Sequence, residues 1–213
     1  IPLASDYDFN NLNYAIFGEN VFFLTDRFTL TPGVRLEYID TRAHGYYTRT
    51  VQDQVGHILE AARTDETRNR DRLFALAGIG ISYKSPSGVE WYGNASQNYR
   101  AINFNDIRIQ NPGLRIDPNI TDERGYNIDL GIRSTTDRWA YDAGVFYLSY
   151  QNRIGEIQKR DRQNFRYYRL RDNIADSYAY GLEAYAEWKA LPADTAGGSG
   201  ITLFINGSYT EAR

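Results

Sequence analysis

The sequence predicts an all-β fold, an antiparallel up-and-down transmembrane β-barrel segment of about eight strands. Three observations predict it. Segments in which apolar and polar residues alternate with a period of two recur along the chain. These segments exceed the roughly 5–6 residues of ordinary strands and suit the roughly 9–11 tilted residues that cross a bilayer core. The connections between them alternate strictly between short and long, as in outer-membrane barrels, where short turns face the periplasm and long loops lie outside.

The first strand is expected from Asn10 to Thr25, without a clean parity, and ends in a short turn at Thr25-Asp26. From Phe28, one parity reads Phe28, Leu30, Pro32, Val34, Leu36, Tyr38 and the other Thr29, Thr31, Gly33, Arg35, Glu37. Arg42 to Arg70 then reads as a long loop. The third strand carries Leu73, Ala75, Ala77, Ile79, Ile81 and Tyr83 on one parity, and turns at Ser85-Pro86-Ser87-Gly88. In the fourth, Val89, Trp91, Gly93 and Ala95 face away from Glu90, Tyr92, Asn94, Ser96, Asn98 and Arg100. A second long loop covers Ala101 to Thr121. Gly125 to Ser134 and Trp139 to Asn152 flank the short turn Thr135-Thr136-Asp137, and the latter shows no clean parity. The third long loop runs from Arg153 to Asp172. Tyr178, Tyr180, Leu182, Ala184, Ala186 and Trp188 then oppose Gly181, Glu183, Tyr185, Glu187 and Lys189, and a short connection from Leu191 to Gly200 leads to a last strand from Ile201 to Thr210.

Three structureless loops of about 20 residues or more count against a compact soluble domain, although a soluble antiparallel sandwich also alternates. Aromatics gather near strand ends, at Tyr38, Tyr83, Trp91, Tyr99, Trp139, Tyr178 and Trp188, where an amphipathic ring suits the headgroup level. The mean hydropathy of −0.58 is compatible with this, because alternating strands and polar loops dilute the apolar signal. Leu36, Ile79, Ile81, Leu182, Ala184, Leu203 and Ile205 are expected toward lipid, and Arg35, Glu37, Asn94, Asp129, Glu183 and Asn206 toward the lumen.

Composition narrows the function classes. Aromatic residues make up 15% of the chain, with 18 Tyr, and Cys and Met are absent. Without Cys there is neither a disulfide framework nor a thiolate metal site, and without Met the chain is expected to be a mature segment or a fragment. No apolar run approaches the roughly 18 residues of a transmembrane helix, and IPLASDYDFN lacks the regions of a signal peptide. The net charge of −3 gives no overall basic footprint, so nucleic acid is not an expected partner.

Other constellations carry less. His44 and His57 share a loop with Asp53, Glu60, Asp65 and Glu66, but the spacing matches no ligand motif, and no metal site is assigned. Gly78-Ile79-Gly80 precedes no helix start, so it is not a dinucleotide fingerprint. Glu90, Glu183 and Glu187 read as lumen charges, solvated or paired to Arg35, Arg100 and Arg133. No nucleophile-base arrangement is present, so neither enzyme activity nor a cofactor is expected.

The inward parity mixes small and polar residues (Thr29, Thr31, Gly33; Asn94, Ser96, Asn98; Asn206, Ser208, Thr210), as a wide lumen allows, and the last strand lacks an aromatic closing end. Both features suggest part of a larger barrel. WYGNASQNYRAINFNDIRIQNPGLRIDPNITDERGYNIDLGIR resembles the barrel of TonB-dependent outer-membrane receptors, through Ser96, Tyr99, Arg100, Phe104, Asn111, Pro112, Leu114, Asp117, Pro118, Glu123, Gly125, Asn127, Gly131 and Arg133. VFYLSYQNRIG (145–155), SYAYGLEAYAEW (177–188) and NLNYAIFGENVFFLTDRFTLTPGVRLEY are similar to further strands of that family. NFNDIR with YRLRDNIADS most resembles its ferric dicitrate receptor branch. The resemblance implies a barrel of about 22 strands, in which residues 1–213 form a partial barrel domain without the plug domain. It also implies residence in the bacterial outer membrane, contact with TonB through a region N-terminal to this chain, and a role in iron or siderophore transport.

The segment from Arg153 to Asn173 carries seven Arg or Lys against three acids. Arg offers a fixed, always charged fork that binds carboxylates bidentately. Under the resemblance, Arg115, Arg153, Arg160, Arg162, Arg166, Tyr167 and Arg169 are the expected contacts for an anionic ferric chelate. Contact with lipopolysaccharide phosphates, or plain solvation, is the alternative for the same residues. A passive porin-like or structural barrel, or uptake of a cobalamin or an oligosaccharide, stays open at this level.

Overall fold

The computed structural model describes residues 5–52, 55, 57–107, 114–162, 165, 167–191 and 200–213. The strands are β1 (Ser5–Glu19), β2 (Phe22–Phe23), β3 (Phe28–Gln52), β4 (Ile58–Lys84), β5 (Val89–Arg100), β6 (Leu114–Ile116), β7 (Glu123–Thr135), β8 (Trp139–Arg160), β9 (Tyr167–Leu191) and β10 (Ile201–Ala212); α1 (Phe104–Ile107) is a single helical turn. They form one sheet with the path β1-β3-β4-β5-β7-β8-β9-β10, to which β2 adds on β3 and β6 on β9. Along that path every pairing is antiparallel between consecutive long strands, the up-and-down order expected of a barrel wall.

The short turns form where the sequence places them. Thr25 Oγ1 accepts from the Phe28 amide at 3.0 Å. Gly88 adopts φ +82°, a left-handed conformation that costs glycine little, and lets its amide reach Ser85 O at 3.1 Å. Thr136 Oγ1 accepts from the Trp139 amide at 3.0 Å. The connection between β9 and β10 falls largely outside the described residues.

The register separates the two parities into two faces. Leu36 lies opposite Ala75, Ile79 opposite Pro32 and Ala95, Ile81 opposite Leu30, Leu182 opposite Val145, and Ile205 opposite Ala186. Leu36, Leu182 and Ile205 are 48, 50 and 71% exposed, an apolar wall with no protein packed on it. At one end of this wall Trp139 stacks on Trp188 with centroids 5.6 Å apart; at the other, Tyr126, Tyr147, Tyr178 and Tyr180 form a chain with spacings of 5.9, 6.2 and 6.3 Å. From Trp139 to Tyr147 the strand rises about 26 Å before tilt, comparable with the roughly 25 Å apolar band of outer-membrane barrels. On the other face, Arg35, Glu37, Asn94, Asp129, Glu183 and Asn206 share a parity. Glu90 pairs there with Arg133 at 2.9 Å, as expected for a lumen charge.

Three expectations are corrected. The first strand starts earlier and is not continuous to Thr25, because the chain leaves β3 after Glu19 and rejoins it only as the two-residue β2. Arg42 to Arg70 is not a loop: β3 and β4 remain paired up to Gln52 opposite Ile58. Nor is Arg153 to Asp172, where β8 and β9 pair to Arg160 opposite Tyr167. A strand of 25 residues such as β3 is roughly 80 Å long, far more than a tilted crossing of the bilayer core needs. Beyond the bilayer no apolar parity is required, and same-strand ion pairs take its place: Arg42 with Asp40 at 2.9 Å, Arg63 with Asp65 at 2.8 Å and Arg68 with Glu66 at 2.8 Å. The two hairpins are therefore projecting arms.

Between the arms, residues 101–107 and 114–122 fold over the inward face. Their Ile102, Ile107, Ile116 and Ile120 bury against Ala43 of β3, with Phe9, Tyr47, Phe104 and Ile154 packed around them. This apolar cluster is the main core of the described residues.

Candidate ligand-binding site

The bridging segment between β5 and β7 starts with a local signal. Asn103 Oδ1 accepts from the Asn105 amide at 2.9 Å, and Asp106 Oδ2 accepts from the Asn103 amide at 3.0 Å, so N-F-N-D closes a reciprocal capping arrangement around α1. Asp106 is buried, and Arg100 pairs with it at 3.0 Å and with the buried Glu123 at 2.8 Å. Glu123 also accepts from the Ile154 amide at 2.9 Å. Arg100 and Glu123, both carriers of the family resemblance, thus hold the two ends of the segment together and tie them to β8.

The segment is fastened on both sides. Toward β4, Arg70 donates to Ile120 O at 2.8 Å, and Arg72 donates to Thr41 Oγ1 at 2.7 Å and approaches Asp122 at 3.4 Å. Tyr99 donates to the same Asp122 at 2.5 Å. Toward β9, β6 pairs in parallel with Arg169–Arg171, and Asn173 accepts from the Thr121 amide at 2.7 Å while donating to Thr121 O at 2.9 Å. The segment therefore spans the inward face from one arm to the other.

The β8–β9 arm begins at a bulge. Asn152 takes φ 57°, a conformation that Asn tolerates better than most residues, and its amide donates to Asp176 at 2.9 Å. Beyond the bulge the expected ligand contacts fall into two groups. Arg115, on β6, pairs with Asp161 at 2.9 Å and lies 4.1 Å from the Tyr168 ring centre. Arg169, on β9, pairs with Glu156 at 3.1 Å, and Arg171 contacts the same carboxylate. Arg115 and Arg169 are thus each engaged by a carboxylate, Arg169 sharing Glu156 with Arg171. Arg153 donates to Ser177 Oγ at 3.3 Å and lies 5.6 Å from the Tyr150 ring, and Arg160 donates to Phe165 O at 3.3 Å and lies 4.8 Å from its ring. Neither meets a carboxylate among the described residues, and Arg162 is exposed. Tyr167 is 66% exposed opposite Arg160. Arg166 lies outside the described residues. The arm thus presents Arg153, Arg160 and Arg162 as guanidiniums not neutralised by a described neighbour, interleaved with Tyr150, Phe165 and Tyr167.

The family model for the TonB dependent receptor-like, beta-barrel domain matches residues 2–213. The chain belongs to this family. It is similar to a copper transporter, OprC, at 17% identity and TM-score 0.65, covering 99% of this chain and 31% of that one. The ferric yersiniabactin uptake receptor FyuA from Yersinia pestis matches at 20% identity and TM-score 0.68, covering 98% and 28%. The siderophore receptor PiuA from Acinetobacter baumannii matches at 14% and 0.65, covering 97% and 26%. At these identities the likeness shows the fold, and this chain spans less than a third of each of those proteins. No curated protein matches the sequence. The family is one of bacterial outer-membrane receptors and transporters rather than enzymes, which agrees with a sheet whose apolar wall bears aromatic rims.

In this TonB-dependent receptor barrel, sequence reasoning singled out the basic arm but missed what restrains it. Asp122, Asp161, Asn173 and Glu156 were not marked as site residues, since nothing in their local sequence shows that they pair with residues up to 52 positions away. Of the weighed metal ligands, His44 Nδ1 lies 2.8 Å from Thr67 Oγ1, and Asp53 is outside the described residues.

Proposed function

We propose that this chain is the barrel portion of a TonB-dependent receptor that takes up an anionic ferric chelate, ferric citrate or a siderophore, with TonB engaged through a region N-terminal to it. The observation that carries the reading is the set of guanidiniums on the β8–β9 arm that pair with no carboxylate among the described residues, Arg153, Arg160 and Arg162, set among aromatic rings. A chelate carboxylate can take charge-assisted hydrogen bonds from such groups without first displacing a carboxylate of the protein. Arg166 belongs to the same proposal by sequence position. Arg115 and Arg169 contribute second, because a ligand must compete there with Asp161 and Glu156. Tyr167 supplies an adaptable wall. The names of FyuA and PiuA favour an iron chelate as cargo, and that of OprC keeps another metal in view.

The test is calorimetric titration of the full-length receptor with ferric citrate and with a ferric siderophore, on single Arg→Gln variants. A charge-assisted bond to ligand contributes about 1.5–3 kcal/mol, so loss of Arg160 or Arg162 weakens binding about tenfold or more. Arg169→Gln changes it less. A charge that only steers encounter alters the association rate and its salt dependence instead. Wild-type affinity in every folded variant removes the arm from recognition.

A further inference from the structure

At the other end of the bridging segment, far from the basic arm in the sheet order, a cavity of about 350 Å³ opens between β3–β4 and the segment. One wall is cationic and polar, formed by Thr41, Arg68, Arg70 and Arg72; the facing wall is aliphatic, formed by Ile102, Ile107 and Ile120. Two of the three guanidiniums are matched, Arg68 by Glu66 at 2.8 Å and Arg72 by Asp122 at 3.4 Å. Arg70 meets only a carbonyl, Ile120 O, and no carboxylate among the described residues, so the cavity keeps a net positive charge. The Arg72 side chain is only 9% exposed, with its two terminal nitrogens engaged by Thr41 and Asp122, so Arg70 is the guanidinium that the cavity leaves to a ligand.

We infer that this cavity binds a small organic carboxylate with an apolar body, its carboxylate on Arg70 and its hydrocarbon part against Ile102, Ile107 and Ile120. The volume lies at the low end of ligand pockets, roughly 300–1,000 Å³, which fits a small molecule rather than a metal chelate. The aliphatic wall selects against fully hydrated inorganic anions, because it offers nothing to their remaining oxygens. A bound carboxylate links β4 to the bridging segment and so stabilises the segment's seat on the inward face. The inference concerns a site separate from the arm and stands or falls independently of the proposed chelate uptake.

The test uses the full-length receptor in detergent, with benzoate as the probe and acetate and inorganic phosphate as comparisons, read by calorimetry and by the thermal unfolding midpoint. Benzoate is expected to bind saturably and to raise the midpoint, at least tenfold more tightly than acetate or phosphate. Arg70→Gln lowers benzoate affinity tenfold or more. Ile107→Phe, which keeps every guanidinium and fills the cavity, abolishes binding, and it decides the matter if Arg70→Gln does not fold. Absence of saturable benzoate binding, phosphate binding as tightly as benzoate, or wild-type benzoate affinity in Ile107→Phe overturns the inference.

Discussion

An arginine placed at Ile79 tests the assignment of faces most simply. Ile79 sits on β4 between Pro32 and Ala95 on the apolar wall, and is itself 44% exposed on that wall. Tyr83, opposite Trp91, marks the nearer aromatic rim, and Tyr38, opposite Leu73, the farther one. From Tyr83 to Ile79 the strand rises about 13 Å, or about 10 Å along the membrane normal after a tilt near 40°, which places the site close to the middle of a roughly 25 Å band. Ile79→Arg therefore costs about 2–4 kcal/mol, the value for a cation at the midplane of a barrel's lipid face. Asn94 lies at the same height on the opposite face, across from Gly80 and Asp129. Asn94→Arg gains a carboxylate neighbour in a wet lumen and is expected to leave stability nearly unchanged. Urea unfolding of the full-length receptor in phospholipid vesicles, followed by tryptophan fluorescence, compares the two. Equal shifts of the midpoint would refute the assignment of the faces.

Further outcomes follow from the bridging segment and the arm. Glu123→Ala strips an acceptor from the half-buried Ile154 amide and one of the two carboxylates from Arg100, and is expected to cost about 1–3 kcal/mol and to speed proteolysis within residues 101–122. Asn152→Ala is expected to lower stability by about 1 kcal/mol because its left-handed backbone disfavours a Cβ without a local hydrogen bond, whereas Asn152→Gly is neutral; unfolding midpoints of both variants check this. Tyr7, where β1 runs along the projecting arm, titrates above the ordinary tyrosine value, raised first by burial and then by its hydrogen bond to Glu66. Since the folded pKa lies above the unfolded one, its contribution is fully present below about pH 10 and is lost as pH rises beyond it. A stability profile that declines above that pH in wild type and less steeply in Tyr7→Phe is the expected result.

The membrane-spanning part of the fold was legible because the bilayer imposes a rule on sequence: Phe28 to Tyr38 and Leu73 to Tyr83 must each put apolar side chains on one parity. Where that rule lapses, the strands remain and the signal disappears. Arg42, Arg63 and Arg68 sit in regular ladders, yet their neighbours answer to ion pairing rather than to lipid, so the arms read as loops. The stretch from Trp139 to Asn152 shows no clean parity because its lumen face also carries large apolar side chains, Phe146, Leu148 and Tyr150, opposite Gly181, Ala179 and Ser177. Within the candidate site, the arginines were visible from their density, but not which of them are neutralised. That distinction depends on Glu156 and Asp161, which only the pairing of β8 with β9 and of β6 with β9 brings to Arg169 and Arg115. The capping residues Asn103 and Asp106 were close enough in sequence to be read; the grip of Asn173 on Thr121 was not.

The proposal that this barrel admits an anionic ferric chelate through its basic arm is tested most directly by uptake in cells. Radioactive ferric citrate and a radioactive ferric siderophore are supplied to cells expressing the full-length receptor, with and without TonB, beside the triple variant Arg153→Gln, Arg160→Gln, Arg162→Gln. Accumulation of at least one chelate that needs TonB, and that falls tenfold or more in the triple variant while its outer-membrane level stays the same, is the expected result. TonB-independent accumulation, or uptake by the triple variant at the wild-type rate and affinity, contradicts it.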